Sequence, residues 1–90
     1  MSYVIGLSDT AKDDLSDLDN VLRGRVIRKL KAIKDDPFGY VKRLTGVELY
    51  SLRVGNFRAI MSIEERRNII LVVRIGPRKN VYDVLYIFCG

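Results

Sequence analysis

Apolar residues recur along this chain with two different periods. Tyr3, Ile5 and Leu7 alternate with other positions and predict a short strand over Tyr3–Leu7. Ser8 then stands as a helix N-cap, with Asp9 favourable in the first turn. Ala11, Leu15, Leu18, Leu22, Val26, Leu30 and Ile33 follow at spacings of three and four, one unbroken helical stripe. As a single helix this stripe would run ~27 residues and ~40 Å, against a globule diameter of only ~30 Å for a chain this long. The stripe must therefore fold back. Asp19-Asn20 is the break, which predicts a helical hairpin of roughly 8–18 and 21–35. Asp35-Asp36-Pro37 ends the second helix, because a residue before proline disfavours the helical region.

Beyond residue 47 the period drops to two. Tyr50, Leu52 and Val54 alternate with Leu49, Ser51 and Arg53; Gly55-Asn56 is a two-residue turn signal. Phe57, Ala59, Met61 and Ile63 then alternate with Arg58, Ile60 and Ser62. Glu64–Asn68 forms a charged turn, and Ile69–Val73 is continuously apolar, as in a central strand covered on both faces. Lys42 and Arg43 fall in a loop ahead of this sheet. The expected fold is α+β, of order β-α-α-β-β-β: a small antiparallel sheet with the helical hairpin packed on one face. The apolar run Val84–Phe88 predicts a short C-terminal element packed against the sheet or a partner.

At 90 residues, with neither repeat nor linker, the expectation is a single domain over 1–90. Histidine is absent, which removes the usual general base and the commonest metal ligand. The one cysteine, Cys89, excludes an internal disulfide framework and a multi-cysteine zinc site. No cofactor and no metal are expected. No apolar run approaches a membrane span and no signal-peptide pattern opens the chain, so a cytoplasmic protein with no membrane partner is expected.

Charge changes the picture. Sixteen Lys plus Arg against eleven Asp plus Glu leave a net of +5, unevenly placed: residues 1–20 carry one base against five acids, and the remainder carries fifteen bases against six acids. A basic body of this size attracts polyanions, nucleic acid foremost. The hairpin concentrates that charge. With Gly55-Asn56 as the turn, Arg53 lies opposite Arg58, Cβ atoms ~5 Å apart on one face. A five-residue turn at 64–68 would set Arg74 beside Arg58 on the same face, whereas a four-residue turn would send it to the other. Tyr50, Leu52, Val54, Phe57, Ala59, Met61 and Ile63 occupy the opposite face, which the helices cover, so the arginine face is open. Gly76-Pro77 turns the chain and sets Arg78 and Lys79 at the rim, with Tyr82 following. Such a cluster suits phosphate, to which the arginine fork is matched. The plain alternative is that the arginines splay into water or pair with Glu48, Glu64 or Glu65.

Leu49–Ile60 resembles the central hairpin of the RelE/ParE toxin superfamily, and Val73-Arg74-Ile75-Gly76-Pro77-Arg78-Lys79-Asn80-Val81-Tyr82 resembles its C-terminal signature. The Arg-Lys-Asn-Val-Tyr ending is similar to the RelE branch, whose members cleave mRNA in the ribosomal A site; the ParE branch shares the fold, poisons DNA gyrase and generally lacks this ending. The resemblance implies a RelE-like toxin of a type II toxin–antitoxin pair. Its partners would be a RelB-like antitoxin and the ribosome with mRNA in the A site, operator DNA being met only indirectly through the antitoxin. By motif, Arg58 and Arg78 match the phosphate-stabilising arginines and Tyr82 the catalytic tyrosine. Arg53, Ser51, Arg74 and Lys79 make up the substrate-binding set. Arg53 and Ser51 stand where the family can carry lysines, and Pro77 where many relatives have histidine. Neither arginine nor serine is a competent base. Tyr82 is open to two roles, base or stacking platform. Two other readings remain open: a ParE-like gyrase inhibitor, and a non-catalytic RNA-binding or decayed toxin.

Overall fold

Ser8, expected as a helix N-cap, and Asp19, expected only as part of a break, both cap helices in the computed structural model, which describes residues 2–77. Ser8 accepts from the Ala11 N–H at 3.1 Å at the head of α1 (Asp9–Ser16), and Asp19 accepts from the Leu22 N–H at 2.8 Å at the head of α2 (Asn20–Ala32). The stripe thus folds back at Asp19-Asn20. Arg23 holds the fold-back: its Nε donates to the Leu15 carbonyl at 3.1 Å, Nη2 to the Ser16 and Leu18 carbonyls at 2.9 and 2.7 Å, and Nη1 to Asn20 Oδ1 at 2.9 Å. The Leu15 and Ser16 carbonyls belong to the last turn of α1, where the i+4 N–H donors of the helix run out, and the Leu15 carbonyl also accepts a long bond from the Leu18 N–H at 3.3 Å. One guanidinium therefore satisfies a helix terminus and fixes the turn together. The second helix stops at Ala32, short of the expected 35, because the Lys34 carbonyl accepts from the Tyr3 N–H at 2.8 Å and ties this segment to the N-terminus. A 3-10 turn, Pro37–Gly39, follows.

Five strands complete the described residues: β1 (Val4–Leu7), β2 (Val41–Arg43), β3 (Tyr50–Val54), β4 (Phe57–Glu64) and β5 (Ile69–Pro77), in sheet order β1-β5-β4-β3-β2. The α+β class and the expected succession of elements hold. Gly76-Pro77, expected to turn the chain, instead continues β5 opposite Arg58 and Phe57. Two further differences concern the sheet. The sheet is mixed, since β1 runs parallel to β5. Parallel pairing needs a long connection, and both helices and three strands lie between these partners. Second, Lys42 and Arg43 are not in a loop but in β2, on the outer edge. A strand of three residues with two exposed cations is how sheets guard an edge, and it carries almost no periodic signal.

The β4–β5 connection is Glu65–Asn68, one residue shorter than expected, with Glu64 opposite Ile69 and Asn68 in the left-handed region at φ 55°. A bulge compensates. Met61 pairs with Val72 and Ile60 with Arg74, leaving Val73 unopposed. The extra residue returns Arg74 to the face of Arg58, but opposite Ile60 rather than beside Arg58, whose partner is Gly76.

Leu52, Val54, Ala59, Met61, Ile70, Val72 and Ile75 bury one face of the sheet against Ala11, Val26, Leu30 and Ile33 of the helical layer. The other face is more open: Leu71 is 38% exposed, so the apolar run of β5 is covered on one side only at that point. No helix among the described residues is long and apolar enough to cross a membrane. Arg78, Lys79, Tyr82 and the expected C-terminal element lie outside the described residues.

Arg23→Ala is expected to lower the unfolding free energy by about 1–3 kcal/mol, the scale of charged hydrogen bonds at a partly exposed site. Arg23→Lys should recover only part of it, because a point ammonium does not span acceptors on both sides of the turn. Urea denaturation of the three proteins measures this.

Candidate functional site

Gly55 has φ +60° and Asn56 does not enter the left-handed region, so the hairpin closes in a type II′ turn with glycine at its first central position. That turn fixes the register. Val54 pairs with Phe57, and Arg53 lies directly opposite Arg58, as the alternation predicted. Like charges set opposite each other cost stability in a sheet, and none of the described acidic side chains pairs with either. The neighbouring row on the same face is Lys42–Ser51–Ile60–Arg74, one residue from each of four strands.

A cleft of about 540 Å³ opens on this face between the Gly39–Thr45 segment and the hairpin. Lys42, Arg43, Arg53 and Arg58 supply its charge, and Ser51 and Tyr40 are among its uncharged walls. Arg53 is exposed, while Arg58 is half-buried and donates Nη1 to the Phe57 carbonyl at 3.1 Å and the Gly55 carbonyl at 3.4 Å. Arg58 is thereby held over the hairpin tip. Ser51 is nearly buried, 7% exposed, and sits at the floor of the cleft. The geometry is that of an anion site: several cations converge on a concave polar surface with no carboxylate among the described lining residues.

Arg74 does not join this group. Its Nε lies 3.0 Å from Asp14 Oδ2 on α1, and the same oxygen accepts from the Ile75 N–H at 2.9 Å. The expected trio thus divides: Arg53 and Arg58 face the cleft, while Arg74 binds a helix to the end of β5. Glu64 pairs with Arg67 at 3.3 Å rather than with a cleft arginine. Lys42 and Arg43, placed by the sequence in a loop ahead of the sheet, become cleft walls because β2 pairs Lys42 with Ser51. Tyr40 and Thr45 were not anticipated, and no periodicity marks them. Arg78, Lys79 and Tyr82 lie outside the described residues.

The model of a family described as the ParE toxin of type II toxin–antitoxin systems, parDE, matches residues 5–82. No curated protein matches the chain significantly. Among solved structures it is similar to the toxin–antitoxin complex RelBE2 from Mycobacterium tuberculosis, with TM-score 0.81 and 21% identity over 87% of this chain and 100% of that one. It is similar also to the archaeal RelE–RelB complex from Pyrococcus horikoshii, with TM-score 0.75 and 22% identity over 90% and 100% of the two chains. The isolated RelE toxin of E. coli gives TM-score 0.74 at 17% identity over 99% and 100%. At these identities the likeness is one of fold.

Asp14 secures the stretch of β5 that leads to Gly76, the residue opposite Arg58. Asp14→Ala is expected to cost about 1–3 kcal/mol and to speed hydrogen exchange at the Ile75 amide, which loses its acceptor. Asp14→Asn, which keeps an acceptor oxygen but not the charge, should cost less and leave that amide more protected. Amide exchange followed by NMR checks both.

Proposed function

This chain belongs to the ParE toxin family of type II toxin–antitoxin systems, and we propose that it acts as a ribosome-dependent endoribonuclease, cutting mRNA in the A site. The observation that carries this reading is the opposed pair Arg53–Arg58 at the mouth of a cationic cleft. RNA cleaves when its 2′-hydroxyl attacks the adjacent phosphorus in line with the leaving 5′-oxygen. The 2′-O–P bond forms as the P–O5′ bond breaks, giving a 2′,3′-cyclic phosphate and a 5′-hydroxyl. The proton of the 2′-hydroxyl goes to a base, and the leaving oxygen gains one from an acid or water. Little covalent chemistry falls to the protein. Its share is to hold the in-line geometry and to meet the charge that grows on the phosphorane oxygens.

In this reading Arg58 and Arg78 clamp the scissile phosphate, Arg53 supports them, and Ser51, Arg74 and Lys79 complete the substrate contacts, Arg74 after exchanging Asp14 for RNA. Tyr82 assists as base or as stacking platform. A RelB-like antitoxin neutralises the toxin by covering the cationic face. In support, the similar solved structures include RelE–RelB complexes. The second reading, inhibition of DNA gyrase, is favoured by the match of residues 5–82 to the ParE description. Under that reading Arg78 and Tyr82 have no chemical role.

Primer extension on an mRNA, translated or free in solution, with purified toxin added, separates the two. The endonuclease reading expects cuts within the A-site codon on the ribosome alone. Intact mRNA in both samples, with loss of supercoiling by gyrase, would overturn it. Arg58→Ala and Arg78→Ala should each slow cleavage about 10²–10³-fold, as removal of one preorganised donor does elsewhere. Tyr82→Phe decides the tyrosine's part: a base loses about 10²–10⁴-fold on that change, whereas a stacking ring loses almost nothing.

A further inference from the structure

Behind the hairpin lies a second cationic groove, of about 370 Å³, lined by Arg25, Arg28 and Lys29 of α2 together with Arg53 and Gly55. We propose that this groove binds the phosphodiester backbone of the same single-stranded RNA, beyond the nucleotides held in the cleft. The proposal rests on the RNA reading above and extends its footprint around the hairpin tip.

Three observations carry it. First, Arg25, Arg28 and Lys29 lie at helical spacings of three and four, so α2 sets like charges beside one another on one face, an arrangement that destabilises a helix. The C-terminal dipole of α2 accounts for Lys29 in the last turn, but that effect fades within a turn and does not reach Arg25. No acid among the described residues pairs with any of them. Second, the two grooves adjoin at Arg53, which lines both. Gly55 marks the crossing: a Cβ built there would lie 3.5 Å from Nη2 of Arg25, so the α2 guanidinium lies close against the bare backbone of the turn. Third, the lining suits phosphate better than protein. Apart from the cations it offers Ala32, Val54 and Gly55, and Val54 is spent on the core. A protein segment needs apolar anchors to bind, whereas phosphodiesters need only forks and charge.

The test measures binding of fluorescein-labelled single-stranded RNA to the purified full chain by anisotropy across a salt series. One RNA is about 12 nucleotides long and the other about 3, too short to leave the cleft. For the longer RNA, the combined variant Arg25→Ala, Arg28→Ala, Lys29→Ala is expected to bind about tenfold or more weakly. Its slope of log affinity against log salt should fall by about 2, the share of three lost phosphate contacts on a single strand. The shorter RNA should bind it as it binds the wild type. Arg25→Gln and Arg28→Gln, measured singly, should each lower the slope by about 0.7 and keep the test open if the triple variant melts early.

A control variant, Lys12→Ala, Lys31→Ala, Arg66→Ala, removes the same charge elsewhere. An equal loss in that control would mean diffuse attraction and overturn the proposal. Unchanged affinity and slope in the groove variants, with weaker binding by Arg58→Ala, would overturn the groove and leave the cleft reading standing. Weaker binding in the groove variants with none in Arg58→Ala would do the reverse. Loss of antitoxin binding without loss of RNA binding would make the groove a protein site and overturn the proposal. A wild type that binds neither RNA would overturn the groove proposal, the endonuclease reading being judged by the primer-extension experiment.

Discussion

Beyond Val72, β5 has a strand on one edge only among the described residues. β1 ends at Leu7, opposite Val72, while β5 runs on to Pro77. Backbone groups left unpaired along such an edge are costly where they are buried and adhesive where they are not. Here α1 takes over from the strand. The Ser8 N–H donates to the Val72 carbonyl at 2.9 Å, Ser8 Oγ donates to the Val73 carbonyl at 3.0 Å, and Asp14 accepts from the Ile75 N–H. Ser8 does this while capping the same helix, so one hydroxyl joins strand, helix start and sheet edge. The handover coincides with the bulge at Val73, and the bulge sets the face of Arg74 and the pairing of Gly76 with Arg58. Because Arg23 then fastens α2 to the end of α1, the helical layer as a whole is referred to this edge.

The segregation of charge follows from the same arrangement. Four of the five acids in residues 1–20 lie in or beside α1, where Asp9 favours the helix start and Asp14 takes the Arg74 guanidinium. That pairing consumes one base of the open face. Lys42, Arg43, Arg53 and Arg58 keep their charge without a described acidic partner. Surface pairs contribute little to stability, so their absence is cheap; the repulsion between opposed arginines is a modest cost that a bound polyanion reverses. A free toxin of this kind is expected to be poised for phosphate rather than optimised for its unbound state.

Much of the fold could be read from the residues, because each legible feature was local. Ser8 announces a cap by side-chain type, the helical stripe announces its own break by being too long, and Gly55-Asn56 sets the Arg53–Arg58 register by turn chemistry alone. What escaped was non-local or too short. β2 is three residues long with one apolar member, and only its pairing with β3 gives Lys42 and Arg43 a direction. The bulge cannot be counted from the turn, since it coincides with a handover between β1 and α1 at Ser8, 65 residues upstream of Val73. The Asp14–Arg74 pair is hidden for the same reason, so a register argument brought Arg74 to the right face and still missed its partner. The cationic face of α2 left a local trace, bases at three and four, but it lies on a stripe that the apolar period does not use.

The two faces of the sheet divide the work. On the core face Leu52, Val54, Ala59 and Met61 alternate with the open-face residues Ser51, Arg53, Arg58 and Ile60, so neighbouring positions on one strand answer to different constraints. Exposed arginines there contribute little packing, and their removal should alter binding far more than stability. Two positions break the division. Ile60 is fully buried although it belongs to the open face, and Ser51 beside it is nearly so, which makes the cleft floor part of the packed structure. Gly55 is the other, since its left-handed backbone sets the register of the core strands at the hairpin tip, against which the Arg25 guanidinium lies. A change at that glycine therefore cannot be neutral for fold and neutral for the charged surface together: the strain it introduces acts on the one turn that both depend on.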